Sequence, residues 1–96
     1  MTPMITILVP GALRADAGGE GRLQLENADA TTLGDVLDTV ASRWPLLHRR
    51  IRDDQGQIRR YVNVFVDGED CRHAGGLGTP VRDGTEVQVI PSVAGG

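Results

Sequence analysis

Lysine is absent from this 96-residue sequence, and all ten of its basic residues are arginine. Without lysine the chain cannot complete a P-loop, and it cannot form a Schiff base with a carbonyl substrate or a pyridoxal cofactor. Aromatic residues are nearly as scarce, since Trp44, Tyr61 and Phe65 each represent their type alone. A folded domain of this length therefore needs an aliphatic core.

Cysteine occurs once, at Cys71, which excludes an intramolecular disulfide and the cysteine pairs of zinc sites. Because no second thiol and no evident base accompany it, we expect Cys71 to be a packing residue and not a nucleophile. His48 and His73 lack the spacing of metal ligands. The sequence therefore predicts no bound metal and no bound cofactor.

Long apolar runs are also missing, and none approaches the roughly 20 residues of a membrane-spanning helix. Residues 1–6 do not show the basic start of a secretory signal. The formal charge of −3 argues against non-specific binding to nucleic acid, which requires a basic surface. We expect a cytoplasmic protein with neither a membrane nor a nucleic-acid partner.

Four strands are predicted from apolar runs that alternate with period two or end at turn residues, and a fifth, at residues 69–72, is predicted as the short return strand of a hairpin. They cover residues 4–9, 22–26, 61–66, 69–72 and 86–90. The first two form a hairpin across a loop at residues 15–21, and Asp67-Gly68 predicts a tight hairpin turn after the third. Asp83-Gly84 predicts another turn before the last strand.

A capped helix is predicted where Thr31 and Thr32 precede an apolar pattern that has Asp35 in its first turn. The apolar side chains fall on one helical face: Leu33, Val36, Leu37, Val40 and Trp44. Pro45 follows directly and would end this helix. In the basic stretch at residues 46–60, Leu47 and Ile51 lie one helical turn apart, which allows a short second helix.

The order of these elements predicts an α+β fold in which one crossing helix covers one face of a mixed sheet. Because a helical crossover separates them, the last strand is expected beside the first and parallel to it. This is the order of the β-grasp, or ubiquitin-like, fold. We expect a β-grasp domain at residues 1–91 and a flexible tail at residues 92–96.

The segment after Pro91 reads Ser92-Val93-Ala94-Gly95-Gly96. Because glycine has no Cβ, such a segment can thread a narrow channel, and five extended residues reach about 17 Å. A frayed terminus is the alternative interpretation. The position directly after the last strand of a ubiquitin-like order favours a functional tail.

In these features the sequence resembles the ubiquitin-like sulfur-carrier proteins (MoaD/ThiS-like), related to the small subunit of molybdopterin synthase and the thiamin sulfur carrier. The resemblance rests on Asp83-Gly84, on the strand from Val87 to Pro91, and on Val93-Ala94-Gly95-Gly96. Within that family it is most similar to the actinobacterial carrier of cysteine biosynthesis, through Tyr61-Val62-Asn63-Val64, Glu69-Asp70 with Arg72, and Gly75-Gly76-Leu77.

The resemblance implies that a separate E1-like enzyme uses ATP to adenylate the carboxylate of Gly96. A sulfur donor then replaces AMP to give a thiocarboxylate. It further implies that Gly95, Ala94 and Val93 thread into the active site of a partner. The protein would be a co-substrate with no catalytic residues of its own, and ATP and the sulfur donor would be used by the activating enzyme.

The sulfur acceptor stays open at this point. By resemblance it is an activated serine in a pyridoxal-phosphate-dependent, cysteine-synthase-like enzyme, with a JAMM-type metallopeptidase releasing cysteine. Molybdopterin, thiamin, or a thiosugar made by a thiosugar synthase are alternative acceptors or products. A ubiquitin-like modifier conjugated to proteins through Gly96 is a candidate of another class, and an inert β-grasp interaction module is a third.

A partner-docking face is predicted from the alternation of the strands. If the valines of 62–66 face the helix, then Tyr61, Asn63 and Phe65 lie on the other face, and Ile90 joins them from the last strand. Phe65, Ile90 and Asn63 are the predicted docking residues. The alternative is that a loop covers Phe65, which would make it simply structural.

Half of the basic residues fall within residues 49–60, namely Arg49, Arg50, Arg52, Arg59 and Arg60. A solvated surface is the default interpretation of such a cluster. The functional alternative is electrostatic docking of Arg59 and Arg60 onto an acidic partner surface.

Overall fold

The computed structural model describes residues 4–26 and 31–91, and all strands and helices named below lie in these ranges. The strands are β1 (Met4–Leu8), β2 (Arg22–Glu26), β3 (Val62–Val66), β4 (Glu69–Asp70) and β5 (Glu86–Pro91). The α-helices are α1 (Leu33–Arg43) and α2 (Pro45–Ile51). Short 3-10 segments cover Gly11–Ala17, Cys71–His73 and Gly76–Gly78.

The strands form one mixed sheet in the order β2-β1-β5-β3-β4. β1 pairs antiparallel with β2 and parallel with β5, where Ile7 lies opposite Val87. β3 pairs antiparallel with both β5 and β4. This arrangement confirms the predicted α+β class, the β-grasp topology and the parallel pairing of the first and last strands.

The core lies between one face of the sheet and the helices. Alternate residues of β1 and β3 are buried, including Ile5, Ile7 and Val64, and the predicted apolar face of α1 is buried from Leu33 to Val40. The core is aliphatic, and Trp44 packs against its margin. Cys71 is fully buried in this cluster, which confirms its prediction as a packing residue, and burial raises the pKa of its thiol.

The start of α1 has the predicted cap. The Thr32 hydroxyl accepts a hydrogen bond from the Asp35 N–H at 3.3 Å, and Asp35 Oδ2 accepts one from the Thr32 N–H at 3.2 Å. This reciprocal capping box satisfies two N–H groups that lack partners inside the helix. It fixes the start of α1 at Leu33.

Pro45 ends α1 as predicted, and it also begins α2. Proline is tolerated in the first turn of a helix because the N–H that it lacks would have no partner there. The second helix is confirmed, and Leu47 and Ile51 are both fully buried on its inner face.

Four predicted strand boundaries were wrong by one or two residues, the simplest being the end of β5, which lies at Pro91 instead of residue 90. β1 ends at Leu8, and a 3-10 segment at Gly11–Ala17 occupies part of the predicted loop. β3 begins at Val62 instead of Tyr61, because the Val62 N–H donates to the Arg59 carbonyl at 3.0 Å and closes a turn. Tyr61 therefore does not continue the alternation of the strand. It lines a groove with residues of α2, so its predicted place on the sheet face opposite the helix was wrong. The return strand β4 ends at Asp70, whose carboxylate accepts a hydrogen bond from the Arg72 N–H at 2.9 Å and caps the next 3-10 segment.

Candidate functional site

Four strand ends lie at the end of the sheet that contains Pro91, the last described residue. Pro91, the last residue of β5, lies opposite Val62 at the start of β3, and Leu8 at the end of β1 lies opposite Arg22. We call this end of the sheet, formed by these four residues, the exit end. The predicted tail residues Val93, Ala94, Gly95 and Gly96 lie outside the described residues, so their role stays a prediction.

The sheet face opposite α1 carries the predicted docking residues. Asn63 lies directly opposite Ile90, and Phe65 lies opposite Gln88, so Phe65 is the diagonal neighbour of Ile90. Ile90 is 39% exposed, whereas Phe65 and Asn63 are half-buried. The fold therefore brings the three residues together on one surface, and their docking role stays a prediction.

A groove of about 590 Å³ borders this face at the exit end. It is lined by the ends of β1 and β5, including Ile90, and by Arg14 and Arg22. The Arg14 Nε donates to the Val9 carbonyl at 3.2 Å, and its guanidinium lies against Gly21, where a Cβ would come within 2.9 Å. Sequence reasoning missed both arginines, because their convergence depends on the hairpin that joins β1 to β2.

Arg72 braces the start of β3. Its guanidinium donates to Asn63 Oδ1 at 3.1 Å, to the Val62 carbonyl at 2.8 Å and to the Arg59 carbonyl at 3.0 Å. These bonds orient the side chain of Asn63 on the predicted docking face. Arg72 thus has a structural role that the sequence pattern alone did not indicate.

The arginines at residues 49–60 lie in different environments. Arg59 lies beside α2, where its Nε donates to the Arg49 carbonyl at 2.7 Å, and Arg60 next to it is exposed. Arg50 forms an ion pair with Asp16 at 3.1 Å. Arg52 is only 9% exposed, so the interpretation of the whole cluster as solvated was wrong for this residue.

Arg52 is buried because it links α2 to α1. Its Nε donates to His48 Nε2 at 2.7 Å, and its Nη2 lies 2.8 Å from Asp38 Oδ1. Burial, and then the positive charge of Arg52, lower the pKa of His48 below its ordinary value of 6.5. Because its Nε2 accepts from Arg52, half-buried His48 acts here as a neutral hydrogen-bond acceptor.

The described residues contain no cluster of three or more histidine, cysteine or acidic side chains able to hold a metal ion. Within the same ranges, neither helix has the length and apolar composition needed to cross a membrane.

Comparison with known proteins identifies the relatives of this chain. Residues 7–96 match the model of the ThiS family. The sulfur carrier protein CysO of Mycobacterium tuberculosis is 35% identical over 94 residues, which cover 96% of this chain and 98% of that protein. Small archaeal modifier protein 3 of Haloferax volcanii is 38% identical over 68 residues, 71% of this chain and 73% of that protein.

Among solved structures, a chain of the BexX/CysO complex of Amycolatopsis orientalis superposes with a TM-score of 0.83 and 35% identity. The match covers 96% of this chain and 99% of that chain. Family model, sequence and fold agree over nearly the whole length. The chain therefore belongs to the ThiS family of ubiquitin-like proteins.

Proposed function

We propose that this protein is a sulfur carrier whose Gly96 carboxylate is adenylated by an E1-like enzyme and then converted to a thiocarboxylate. The observation that carries the proposal is the family match, which extends through Gly96 and is joined by a full-length likeness to a protein named as a sulfur carrier. The fold supports it, because β5 leads the chain out at the exit end of a compact body.

The chemistry follows from the low reactivity of a free carboxylate. A carboxylate oxygen attacks the α-phosphorus of ATP, which releases pyrophosphate and leaves an acyl adenylate. A sulfide sulfur attacks the acyl carbon, the bond from carbon to the AMP oxygen breaks, and a thiocarboxylate and AMP result. Since the chain has no lysine, it has no side-chain amine that could intercept the adenylate.

Activation requires the enzyme to bind the folded domain while the C-terminal tail enters its active site. We assign this contact to the face formed by Phe65, Ile90 and Asn63, because an exposed apolar side chain beside the end of β5 brings a docked partner within reach of the tail. Gly95, Ala94 and Val93 would thread the narrow channel of that partner.

The downstream partner is a sulfur-incorporating enzyme. A pyridoxal-phosphate-dependent, cysteine-synthase-like enzyme with a JAMM-type metallopeptidase is our first assignment, supported by the likeness to CysO. A thiosugar synthase is a second, and molybdopterin synthase or a thiamin pathway a third. The BexX/CysO complex supports the general idea that a carrier of this fold binds another protein.

A ubiquitin-like modifier is the second candidate function, favoured by the 38% identity to small archaeal modifier protein 3. Both functions use the same adenylate, but they differ in the nucleophile that follows. Conjugation forms an amide with a lysine of another protein and yields adducts of higher mass in cell extracts. A carrier keeps its own mass apart from the exchange of oxygen for sulfur.

The decisive experiment is intact-protein mass spectrometry after incubation with an E1-like enzyme, ATP and a sulfide source. We expect a gain equal to the mass of sulfur minus that of oxygen, located at Gly96 by fragmentation. A variant lacking Gly95 and Gly96 should fold as the wild type does and gain nothing. Failure of the wild-type protein to gain sulfur under these conditions would contradict the proposal.

A further inference from the structure

We propose that a second surface, on the helix side of the exit end, binds a segment of the activating enzyme that carries carboxylates around an apolar side chain. This inference rests on the proposed function, since it assumes an enzyme that receives the tail. The surface is a groove of about 350 Å³, and we call it the Leu46–Tyr61 groove. Its lining is Asp16, Leu46, Arg49, Arg50, Arg59 and Tyr61.

The groove holds two large apolar side chains that the fold leaves in solvent. Leu46 is 58% exposed and Tyr61 is 55% exposed, and among the described residues the only other exposed large hydrophobic side chain, Ile90, is 39% exposed. The next residue, Leu47, is fully buried, so α2 presents Leu47 to the core and Leu46 to solvent. Exposed apolar side chains that converge in a concave site are typical of docking anchors.

Positive charge surrounds these anchors. Asp16 forms an ion pair with Arg50, whereas Arg49 and Arg59 have no carboxylate partner within residues 4–26 and 31–91. Arg59 is held by its bond to the Arg49 carbonyl at 2.7 Å, so its charge is fixed at the groove without being neutralised. A partner with carboxylates around an apolar residue complements both the charge and the apolar anchors.

The groove lies beside the point where the chain leaves the body. Tyr61 precedes Val62, which is the partner of Pro91 across the sheet. On the other side of β5, Arg14 and Arg22 line the first groove together with Glu20. Any enzyme that takes the tail must approach this end of the molecule, and it meets arginines on both sides.

The opposite end of the sheet carries the opposite charge. Five acidic residues lie where the far ends of the strands meet or turn: Glu26, Asp67, Glu69, Asp83 and Glu86. Arg82 lies beside them in the turn before β5. A molecule polarised in this way is oriented by the field of an acidic partner, which raises the rate of productive encounter.

The test is the kcat/KM for thiocarboxylate formation, measured with the E1-like enzyme of the same genome at low and at high salt. Arg49→Glu should lower kcat/KM roughly tenfold at low salt, and the loss should shrink at high salt as the charges are screened. Leu46→Ala should lower kcat/KM at both salt concentrations, because an apolar contact is not screened. Neither change should alter kcat.

Arg82→Glu is the matched control, since it makes the same change of net charge at the opposite end and should leave kcat/KM near the wild-type value. Urea unfolding verifies that Leu46→Ala and Arg49→Glu remain folded. Wild-type loading with unchanged kcat/KM in both groove variants would overturn the groove and leave the proposed function intact. A wild-type protein that gains no sulfur would overturn both.

Discussion

At the scale of single residues, the linkage among His48, Arg52 and Asp38 is the most informative feature. Arg52 would be costly to bury alone, and it is tolerated because one nitrogen donates to neutral His48 and another contacts the Asp38 carboxylate. A protonated imidazole has no free lone pair to accept from Arg52 and adds a second positive charge beside it. The fold therefore selects neutral His48.

This selection predicts a pH dependence of stability. Because the folded-state pKa of His48 lies below 6.5, its contribution is complete above that value and is lost as the pH falls through it toward the folded-state pKa. Urea unfolding between about pH 7.5 and about pH 5 should show the free energy of unfolding decreasing in this window. His48→Gln, which keeps an acceptor for Arg52, should flatten the decrease.

His73 provides the control, because it is the other histidine and its side chain is exposed. His73→Gln should leave the pH dependence near that of the wild-type protein. An equal decrease in wild type and His48→Gln would show that another group causes it.

At the scale of elements, the start of α1 combines a cap with a charge. Hydrogen bonds from Thr31, and then from Thr32, lower the pKa of Asp35 below 3.8, although burial acts in the opposite direction. The carboxylate form therefore predominates near neutral pH, where it accepts the Thr32 N–H and favours the positive end of the helix dipole. This contribution is present above 3.8 and is lost as the pH falls through the lowered pKa.

Removing the capping hydroxyl should therefore cost stability. Thr32→Ala is expected to lower the free energy of unfolding by about 1 kcal/mol, because the Asp35 N–H loses its acceptor. Urea denaturation measures the change. Ser42→Ala, at an exposed position within the same helix, should cause no loss and a slight gain, because alanine is the better helix former; a loss there equal to that of Thr32→Ala would contradict the capping argument.

At the scale of the whole molecule, the outer face of the sheet exists only when β3 and β5 assemble. Assembly places Phe65, Asn63 and Ile90 together beside the exit end, although Ile90 is remote from the other two in the sequence. Within residues 4–26 and 31–91, the helices cover the inner face, whereas the outer face carries exposed Ile90 and half-buried Asn63 and Phe65. Under the proposed function, a partner docked on this face would bind the folded domain close to the end of β5.

Substitution of Ile90 should separate docking from folding. Ile90→Glu is expected to lower kcat/KM for sulfur loading about tenfold, or about 1.4 kcal/mol, because it places a charge in the apolar contact. Phe65→Ala should act in the same direction. The free energy of unfolding of Ile90→Glu should stay near that of the wild type, since this side chain lies outside the core.

Gln24→Glu is the matched control, because it introduces the same charge on the same face of the sheet in β2, two strands from β5. It should load sulfur at the wild-type rate. If Ile90→Glu also loads at that rate, the docking face is assigned incorrectly.

Much of this protein was determined by local sequence alone. Period-two alternation identified most of the strands, the threonines before Leu33 and the aspartate in the first turn identified the helix start, and Pro45 identified its end. These features are local because a strand or a helix buries one face at a fixed spacing and a proline cannot continue a helix. The absence of lysine and the single cysteine likewise excluded whole classes of chemistry.

Only the tertiary structure decided which arginines are buried, which brace the sheet and which remain available. Arg52, Arg72 and Arg59 are alike as sequence letters, yet one links two helices, one braces the start of β3 and one lines an open groove. The exposure of Leu46 beside buried Leu47 was equally invisible in the sequence. The physical reason is that the charge partners and the exposure of a side chain depend on residues from distant segments. Folding brings these segments together when the helices pack on the assembled sheet.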